Sequence, residues 1–393
     1  MSTLTVTLRQ PTQVVPDRRA DNLRTTRPYI PGWVVRGAFA AAWIREYGPP
    51  TLDGREEFIE VFEGGVRFGP LLAGDGFRGL SELTHKYRTT CDVTVDLAFV
   101  PDPTDDDCAY DVCQACQAPL EPARGLRTVP SIGRRTSTQI HAREVAAAEK
   151  LYSQDSLRPA QTLSGELIGD DAHLEWLGDL TPIHLGGRAT THGHVDRSFA
   201  DSADDWMPFV RDDGLLVLRL ASPAVFVDDD GRPTTRPMDA ELSAQLKVPA
   251  RVTNSWTRWE QIGGWHAASG LPKPVETAVE AGSTYLVATT SPIDPEALLA
   301  LRRRGLGIRR HEGFGHLQPT LDPAVSRQLQ RLAGTPGDYA AALGYATGTG
   351  PVPDITAPRG TQLHSAWRRL LQLSRTDAAR YLRDLSSPSE DLT

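Results

Sequence analysis

The sequence lacks a long apolar run. No stretch reaches the roughly 18 residues that a membrane-spanning helix needs, so we do not expect an integral membrane protein. The N-terminus lacks a basic segment followed by an apolar block, and we therefore expect no secretory signal. Only 4 cysteines occur in 393 residues. They are too few for a disulfide framework and favour a reducing, cytoplasmic environment.

Lysine is nearly absent as well. Of the 42 basic residues, all but Lys86, Lys150, Lys247 and Lys273 are arginines. With 50 acidic residues the net charge is −8, which argues against non-specific coating of nucleic acid by the whole surface but leaves room for a local basic groove. The arginine excess reflects either genomic base composition or the use of planar guanidinium groups for phosphate and base contacts, and composition does not separate the two.

The first half of the chain contains alternating and helical patterns. Residues 3–10 and 161–169 alternate between apolar and polar side chains, which predicts two half-buried strands. Residues 33–44 carry an apolar helical face, and Asp170 begins a short second helix with acidic residues at its N-terminal end. A glycine-bearing loop at residues 183–195 then leads into another strand.

The second half repeats this order. The pattern predicts strands at 214–220 and 283–289, a helix at 294–304, and a glycine-rich loop at 305–317 before a last strand. Both halves thus end with a strand, a short helix, a glycine-bearing loop and a strand. The two loops also close alike, with Gly-His-Val and Gly-His-Leu. We interpret this as an internal duplication that builds two βαββαβ-type sheets in an α+β protein.

The acidic stretch at residues 201–213 marks the expected domain boundary. We predict a first domain over residues 1–205, a second over 206–325 and a C-terminal helical extension over 326–393. The extension has an apolar helical stripe that would either pack on its own domain or dock a partner subunit. The stripe comprises Trp367, Leu370, Leu371, Ala378, Tyr381, Leu382 and Leu385.

The loop at 305–317 combines glycines with basic side chains. It leaves a helix and enters a strand, so it is not a dinucleotide-binding fingerprint, and the sequence contains no Walker Gly-Lys-Ser/Thr. Its glycines would let backbone amides approach a phosphate chain, whereas the alternative is a capped helix end whose basic residues complement the dipole. We favour the polyanion-binding loop. Its flanking arginines are Arg302, Arg303, Arg304, Arg309 and Arg310.

A second basic stretch spans residues 124–143. It is interrupted by Gly125 and Gly133 and includes His141. It forms either a solvated surface loop or a path for a phosphate backbone, and the pattern does not decide between these alternatives. Its arginines are Arg124, Arg127, Arg134, Arg135 and Arg143.

Three of the four cysteines lie in a polar segment at residues 101–125, which belongs to an insertion that we place around residues 91–125. Cys113 and Cys116 have the spacing of a zinc knuckle, with Cys108 just upstream and Cys91 further back. Four thiolates would complete a tetrahedral structural zinc site, and His85 could replace a cysteine. The wide spacing between Cys91 and Cys108 leaves free thiols as the alternative.

Catalytic signatures are scarce. The sequence contains neither Gly-x-Ser-x-Gly nor His-Glu-x-x-His, and no pair of carboxylates stands in a recognisable frame. His141, His192 and His311 could act as a general base on an RNA 2′-hydroxyl, although each is more often a surface or backbone-bonding histidine. The sequence alone therefore assigns no catalytic residue.

Five segments in this order resemble the RAMP superfamily of CRISPR-associated proteins. Residues 29–39 match an N-terminal Ile-Pro-Gly-x-x-x-Arg-Gly-Ala signature, and residues 185–195 and 307–315 resemble the first and the C-terminal glycine loops of that family. Residues 264–273 and 281–283 further resemble the type III-D subunit that caps the 5′ end of the guide RNA. Together the resemblance covers roughly residues 3–320 and identifies the chain as a RAMP-type protein.

The resemblance implies tandem ferredoxin-like (RRM-like) domains and membership of a multisubunit, RNA-guided antiviral effector. In that family the capping subunit holds the 5′ handle of the guide RNA (crRNA), and target RNA is met indirectly. It lies beside the large polymerase-like subunit and the backbone RAMP subunits, and it is generally not the nuclease.

The resemblance and the two basic stretches together give one set of candidate contacts. Guanidinium groups would neutralise phosphates, glycine amides would approach them, and the ring of Phe314 would either stack on a base or pack under the loop. The residues predicted to bind RNA are Arg36, Arg134, Arg135, Arg188, His192, Gly307, Arg309, Arg310, Gly313, Phe314 and Gly315.

Two other functions stay open at the level of sequence. One is a metal-independent endoribonuclease that matures the guide RNA, with His141 as its general base. The other is an assembly scaffold whose zinc-bearing insertion and C-terminal helix bind proteins while the RNA lies elsewhere.

Overall fold

The computed structural model describes most of the chain before residue 321. The ranges that it describes are residues 1–14, 18–20, 23–50, 55–74, 76–91, 94–100, 110–113, 115–140, 146–187, 190–202, 208–211, 213–266 and 271–320. The predicted C-terminal extension at 326–393 lies outside these ranges, as do Cys108, His141 and Arg188. None of the described helices is both long and apolar enough to cross a membrane.

The described strands up to residue 202 include one long ribbon and several short pairs. They are β1 (Ser2–Leu8), β2 (Arg18–Ala20), β3 (Leu23–Arg24), β4 (Arg67–Phe68), β5 (Glu82–His85), β6 (Val95–Asp96), β7 (Leu120–Pro122), β8 (Ile132–Ile140), β9 (Ala146–Leu157), β10 (Thr162–Ile168) and β11 (Val195–Asp201).

The later strands and the helices complete the fold. The strands are β12 (Phe209–Val210), β13 (Leu216–Arg219), β14 (Phe226–Val227), β15 (Pro233–Thr234), β16 (Ala250–Trp256), β17 (Trp259–His266), β18 (Leu271–Val279) and β19 (Thr284–Thr289). The α-helices are α1 (Gly32–Tyr47), α2 (Arg55–Glu60), α3 (Asp171–Asp179), α4 (Asp239–Leu246) and α5 (Pro295–Arg304). Single turns follow at Val61–Gly65, Leu97–Phe99 and Arg310–Glu312.

The first four-stranded sheet has the order β11-β1-β10-β4, and all its pairs are antiparallel. Its alternating strand β1 buries Leu4, Val6 and Leu8, as the sequence pattern predicts. Helices α1 and α3 cover this apolar face, with Phe39 and Leu177 fully buried in the same core. Along the chain the elements run β1, α1, β4, β10, α3, β11, so the long segment between β4 and β10 is an excursion from this sheet.

The second four-stranded sheet has the order β12-β13-β19-β16. Helices α4 and α5 pack on it, and Leu246 and Leu301 join Tyr285 in its core. Helix α5 has the predicted start, because Asp294 accepts a hydrogen bond from the Glu296 amide and Pro295 occupies the first turn. After the glycine loop, the predicted last strand is reduced in the described residues to one antiparallel bridge between Leu317 and Leu220, the residue after β13.

Smaller sheets fill the excursions. Strands β6, β5 and β7 form a three-stranded sheet, β2, β3, β9 and β8 form a four-stranded one, and β14–β15 and β17–β18 are two-stranded. The chain is therefore a mixed α/β protein with several small sheets and few helices, which confirms the α+β prediction in its coarse form.

Candidate functional site

The glycine-rich loop lies where the two large sheets meet. It leaves α5 at Gly305, and Gly313 packs against Gly32 at the start of α1 and against the backbone of Phe68 in β4. On its other side, Arg309 reaches Glu276 in the β17–β18 ribbon. The loop therefore contacts the first sheet, its helix and the ribbon of the second half at the same time.

The glycines of this loop serve close packing. Gly307, Gly313 and Gly315 have φ values of 75°, 96° and 66°. A Cβ on Gly315 would overlap the carbonyl oxygen of Leu306, and one on Gly313 would overlap that of Phe68. Only glycine meets both requirements, the left-handed backbone and the close approach.

The amides of these glycines already donate hydrogen bonds within the protein. Gly307 donates to Oε1 of Glu241 at 3.0 Å, and Gly313 and Gly315 donate to the carbonyls of Arg310 and Pro223 at 3.0 and 2.9 Å. The sequence predicts that these amides are free to bind a phosphate, but in the structure they are engaged within the protein instead. The assignment of the three glycines as RNA-binding residues stays a prediction.

Phe314 packs beneath the loop, which is one of the two alternatives predicted for its ring; the other is stacking on a base. Its side chain is 1% exposed, and its ring stacks on Trp33 of α1 with centroids 4.9 Å apart. The guanidinium of Arg309 covers the ring at 4.9 Å from its centroid. The ring thus presents no open face to a base in this conformation.

Arg309 is neutralised by carboxylates. Its Nε and Nη2 each lie 2.7 Å from an oxygen of Glu312, and its Nη1 pairs with Glu276. Lys273 binds Glu312 at 2.8 Å, so two cations and two carboxylates close the cluster. Burial alone would raise the pKa of Glu312, but the hydrogen bonds from Arg309 and Lys273 outweigh it and lower the pKa to about 2.

Arg36 is likewise engaged within the protein. Its Nε donates to the carbonyl of Phe62 at 2.6 Å, and its Nη2 pairs with Glu63. His311 lies 3.5 Å from the same carboxylate. Burial and then the charge of Arg36 lower the pKa of His311, which favours its neutral form.

Arg310 differs from both of these arginines. It is partly exposed at the tip of the loop, and within the described part of the chain no acceptor lies within hydrogen-bond or ion-pair distance of its side chain. Among the described residues its charge thus has no carboxylate partner, whereas the charges of Arg36 and Arg309 are compensated by carboxylates.

The ribbon β8–β9 carries the second basic stretch and shows the same contrast. Arg134 forms a two-pronged ion pair with Asp155, at 2.7 and 3.0 Å. Arg135 is exposed, and no described side chain compensates it. His192, near the start of β11, contacts the hydroxyl of Thr191 at 2.8 Å.

Three predicted metal ligands come together beside β5. The Sγ atoms of Cys91 and Cys113 are 3.9 Å apart, and Sγ of Cys116 is 3.3 Å from Nε2 of His85. All four ligand atoms lie within 4.8 Å of one another. His85, which the sequence allows as a replacement for one cysteine, is the fourth residue of the cluster. Cys108 lies outside the described residues.

The geometry and acidity of this cluster suit a tetrahedral thiolate site. A zinc ion with bonds of about 2.3 Å to sulfur separates its ligands by roughly 3.8 Å, close to the spacing found. Burial opposes ionisation of Cys113, but hydrogen bonds from the Cys116 amide and from His85 lower the pKa of its thiol to about 6. The residues present therefore fit a structural metal ion.

Sequence reasoning missed the ion network that joins the insertion to the second sheet. Arg219 is fully buried in β13 and donates to Glu82 at 2.7 Å and to Asp96. Ser81 and Arg127 complete the network. The sequence does contain a signal for this network, namely an arginine inside the apolar run Leu-Val-Leu-Arg-Leu. A guanidinium that is buried in such a strand requires carboxylate partners.

The packing role of the glycines predicts a large effect of one methyl group. We expect Gly315→Ala to lower the free energy of unfolding by about 2 to 3 kcal/mol, because it adds a clash and a strained φ. Gly37→Ala is the control, since Gly37 lies in α1 with open space around its Cβ position; it should stabilise by about 0.5 to 1 kcal/mol. Denaturant unfolding measures both, and equal effects would contradict the packing role.

Because folding lowers the pKa of Glu312, we expect its contribution to the free energy of unfolding to depend on pH. Its pKa is lowered from 4.5 to about 2 on folding, so the stabilisation is complete above pH 4.5 and is lost as the pH falls towards 2. We expect Glu312→Gln to cost about 2 kcal/mol at pH 7 and progressively less below pH 4.5. Urea unfolding from pH 7 to pH 2.5 tests this, with the exposed Glu121→Gln as control. A cost that does not change with pH would contradict the assignment.

Comparison with solved structures gives distant matches. A cryo-EM structure of a type III-B Cmr-beta bound to cognate target RNA matches at 12% identity and a TM-score of 0.44, covering 80% of this chain and 96% of that chain. A Csm3–Csm4 subcomplex of a type III-A interference complex matches at 12% and 0.35, over 82% and 100%. A Cas6-related protein from Pyrococcus furiosus matches at 8% and 0.31, over 80% and 97%.

Comparison with family models gives one match. The model described as CRISPR-associated protein (Cas_Cmr3) matches residues 134–318, which run from the basic ribbon to the end of the glycine loop. Comparison with curated proteins finds no match. Over these 185 of its 393 residues the chain is similar to CRISPR-associated proteins of that family.

Proposed function

We propose that the chain is a non-catalytic, guide-RNA-binding subunit of a type III CRISPR interference complex and that it holds the 5′ handle of the guide. The observation that carries this proposal is the family match over residues 134–318, which includes the glycine-rich loop and the part of the second basic stretch from Arg134 onwards. In this proposal the subunit acts in the cytoplasm, beside the large polymerase-like subunit and the backbone RAMP subunits. It meets target RNA only through the guide.

We propose further that both large sheets are ferredoxin-like (RRM-like) domains. In the first sheet the chain order strand-helix-strand-strand-helix-strand gives the spatial order fourth, first, third, second, which supports this assignment. In the second sheet, β13, β16 and β19 correspond to the first, second and third strands of such a domain in chain order. The bridge between Leu317 and Leu220 corresponds to its fourth strand. The domains would span residues 1–205 and 206–325, followed by the extension at 326–393.

The contacts of the arginines divide the proposed RNA-binding residues into two kinds. Arg310 and Arg135 have no carboxylate partner among the described residues and are the proposed phosphate contacts. Arg36, Arg134 and Arg309 are held by carboxylates, and their proposed role is to fix the loop and the ribbon that present the other two. Arg188 and His192 belong to the proposed surface from the resemblance alone.

The availability of Arg310 and Arg135 predicts how RNA binding depends on salt. In the assembled complex, replacing both with alanine should weaken retention of guide RNA and reduce the slope of log K against log salt by about 2, because two phosphate contacts are lost. Arg232→Ala is the control, since Arg232 is an exposed arginine in the distant β14–β15 turn. An unchanged slope would contradict these contacts.

Cross-linking and a cleavage assay separate the alternatives. Cross-links between the guide handle and residues 307–315 support the proposal, and cross-links that map to other subunits favour the assembly scaffold. Cleavage of repeat RNA in the presence of chelator, lost on His141→Ala, would overturn the non-catalytic assignment and favour the endoribonuclease.

We also propose that His85, Cys91, Cys113 and Cys116 hold one structural zinc ion, because all four positions of a tetrahedral site are supplied by protein. The full-length chain purified without chelator should contain about one zinc per molecule, measured by elemental analysis. His85→Ala and Cys113→Ser should lose the metal, and Cys108→Ser should keep it. Loss of zinc in Cys108→Ser with retention in His85→Ala would support the four-cysteine set instead.

A further inference from the structure

A cluster of cationic side chains lies beneath the tip of the glycine loop. Arg67 comes from β4, Arg302 from α5 and His316 from the end of the loop, and they are 8%, 2% and 4% exposed. Arg310 is partly exposed and lies in the Arg310–Glu312 turn. This turn packs against β4, the strand that holds Arg67. Burial and then the charge of Arg310 lower the pKa of Arg67 to about 9.

Among the described residues, the acidic side chain that contacts this cluster is that of Glu166. Both of its carboxylate oxygens accept from Nη2 of Arg302 at 3.1 Å, which compensates that arginine. Burial, Arg67 and Arg302 together lower the pKa of His316 well below its ordinary value, so His316 is neutral. Glu166 thus binds Arg302, and among the described residues no carboxylate lies within ion-pair distance of Arg67 or Arg310.

Arg67 also has hydrogen-bond donors without acceptors. Its Nη1 donates to the carbonyl of Arg303, whereas its Nε and Nη2 are buried and have no described partner. Nε2 of His316 is buried without a partner as well. Buried donors of a charged group rarely stay unsatisfied, because the loss of hydration is then not compensated.

The guanidinium of Arg67 packs directly against the backbone of Gly305. Gly305 has a φ of 68°, and a Cβ at this position would overlap Nη2 of Arg67. The unsatisfied Nη2 of Arg67 thus lies next to a glycine, in the strand that the turn of Arg310 contacts. The missing partner must supply both negative charge and acceptor oxygens.

We propose that this cluster binds a phosphate group, which enters beside Arg310 and accepts hydrogen bonds from Arg310 and Arg67. A phosphate provides charge and several acceptor oxygens in one small group, which matches what the cluster lacks. The proposal rests on the proposed function where it takes a phosphodiester of the guide handle as the ligand. Free inorganic phosphate has the same chemistry and is the second possible source.

The first experiment uses inorganic phosphate and the full-length chain. Phosphate at millimolar concentration should raise the Tm of the wild type, and Arg310→Ala and Arg67→Met should abolish this increase. Without phosphate, Arg67→Met should unfold at the same or a higher temperature than wild type, because it removes an uncompensated buried charge. Arg304→Ala, at the exposed end of α5, is the control and should keep the response.

The second experiment uses a handle RNA with single phosphates replaced by uncharged methylphosphonates. At one position the replacement should weaken binding about tenfold in the wild type and have little further effect in Arg310→Ala, as expected for a direct charged contact. Arg304→Ala should show the full tenfold loss at that position. Additive effects at every position, together with no phosphate response, would overturn the inference.

These outcomes distinguish the inference from the proposed function. If the handle RNA binds normally to Arg310→Ala and Arg67→Met, the phosphate site is wrong while the RNA-binding role stands. If phosphate stabilises the wild type but not these variants, and the handle RNA does not bind, the site is supported with a free anion as its ligand, and the proposed function fails.

Discussion

The buried charge of Arg219 constrains the arrangement of the whole chain. Its guanidinium lies inside the second sheet and is compensated by Glu82 and Asp96 from the small β5–β7 sheet. Burial alone would lower the pKa of Arg219, yet the two carboxylates raise it. Removing one carboxylate would cost about 3 to 5 kcal/mol. The insertion therefore has to dock on the second sheet, and β5 ends at His85, which places the metal cluster beside this joint.

The same principle distinguishes the arginines of the proposed RNA surface. Where a guanidinium supports the fold, a carboxylate lies against it, as Glu312 does for Arg309 and Glu63 for Arg36. Arg67 and Arg310 depart from this pattern at the seam between the sheets. In an arginine-rich chain, composition therefore says little about ligand contacts, and the presence or absence of a compensating carboxylate says more.

Local patterns predict much of this fold. The alternation of β1, the apolar face of α1 and the position of α5 depend on neighbouring residues, and the structure has all three. The β17–β18 ribbon and the partners of Arg219 depend on contacts between residues far apart in sequence, which periodicity does not encode. The site follows the same division: the cysteine spacing indicated the metal cluster, whereas the satisfied amides of Gly307 and Gly315 required the tertiary structure.

The central claim is that a guide-RNA phosphate lies in the seam between the two sheets, at the tip of the glycine loop. A density map of the assembled complex with its RNA, at a resolution that separates phosphates from side chains, tests this most directly. The account predicts a phosphate of the 5′ handle within hydrogen-bond distance of the Arg310 guanidinium, with Arg67 behind it. A handle that passes over another surface, with Arg310 in solvent, would contradict it.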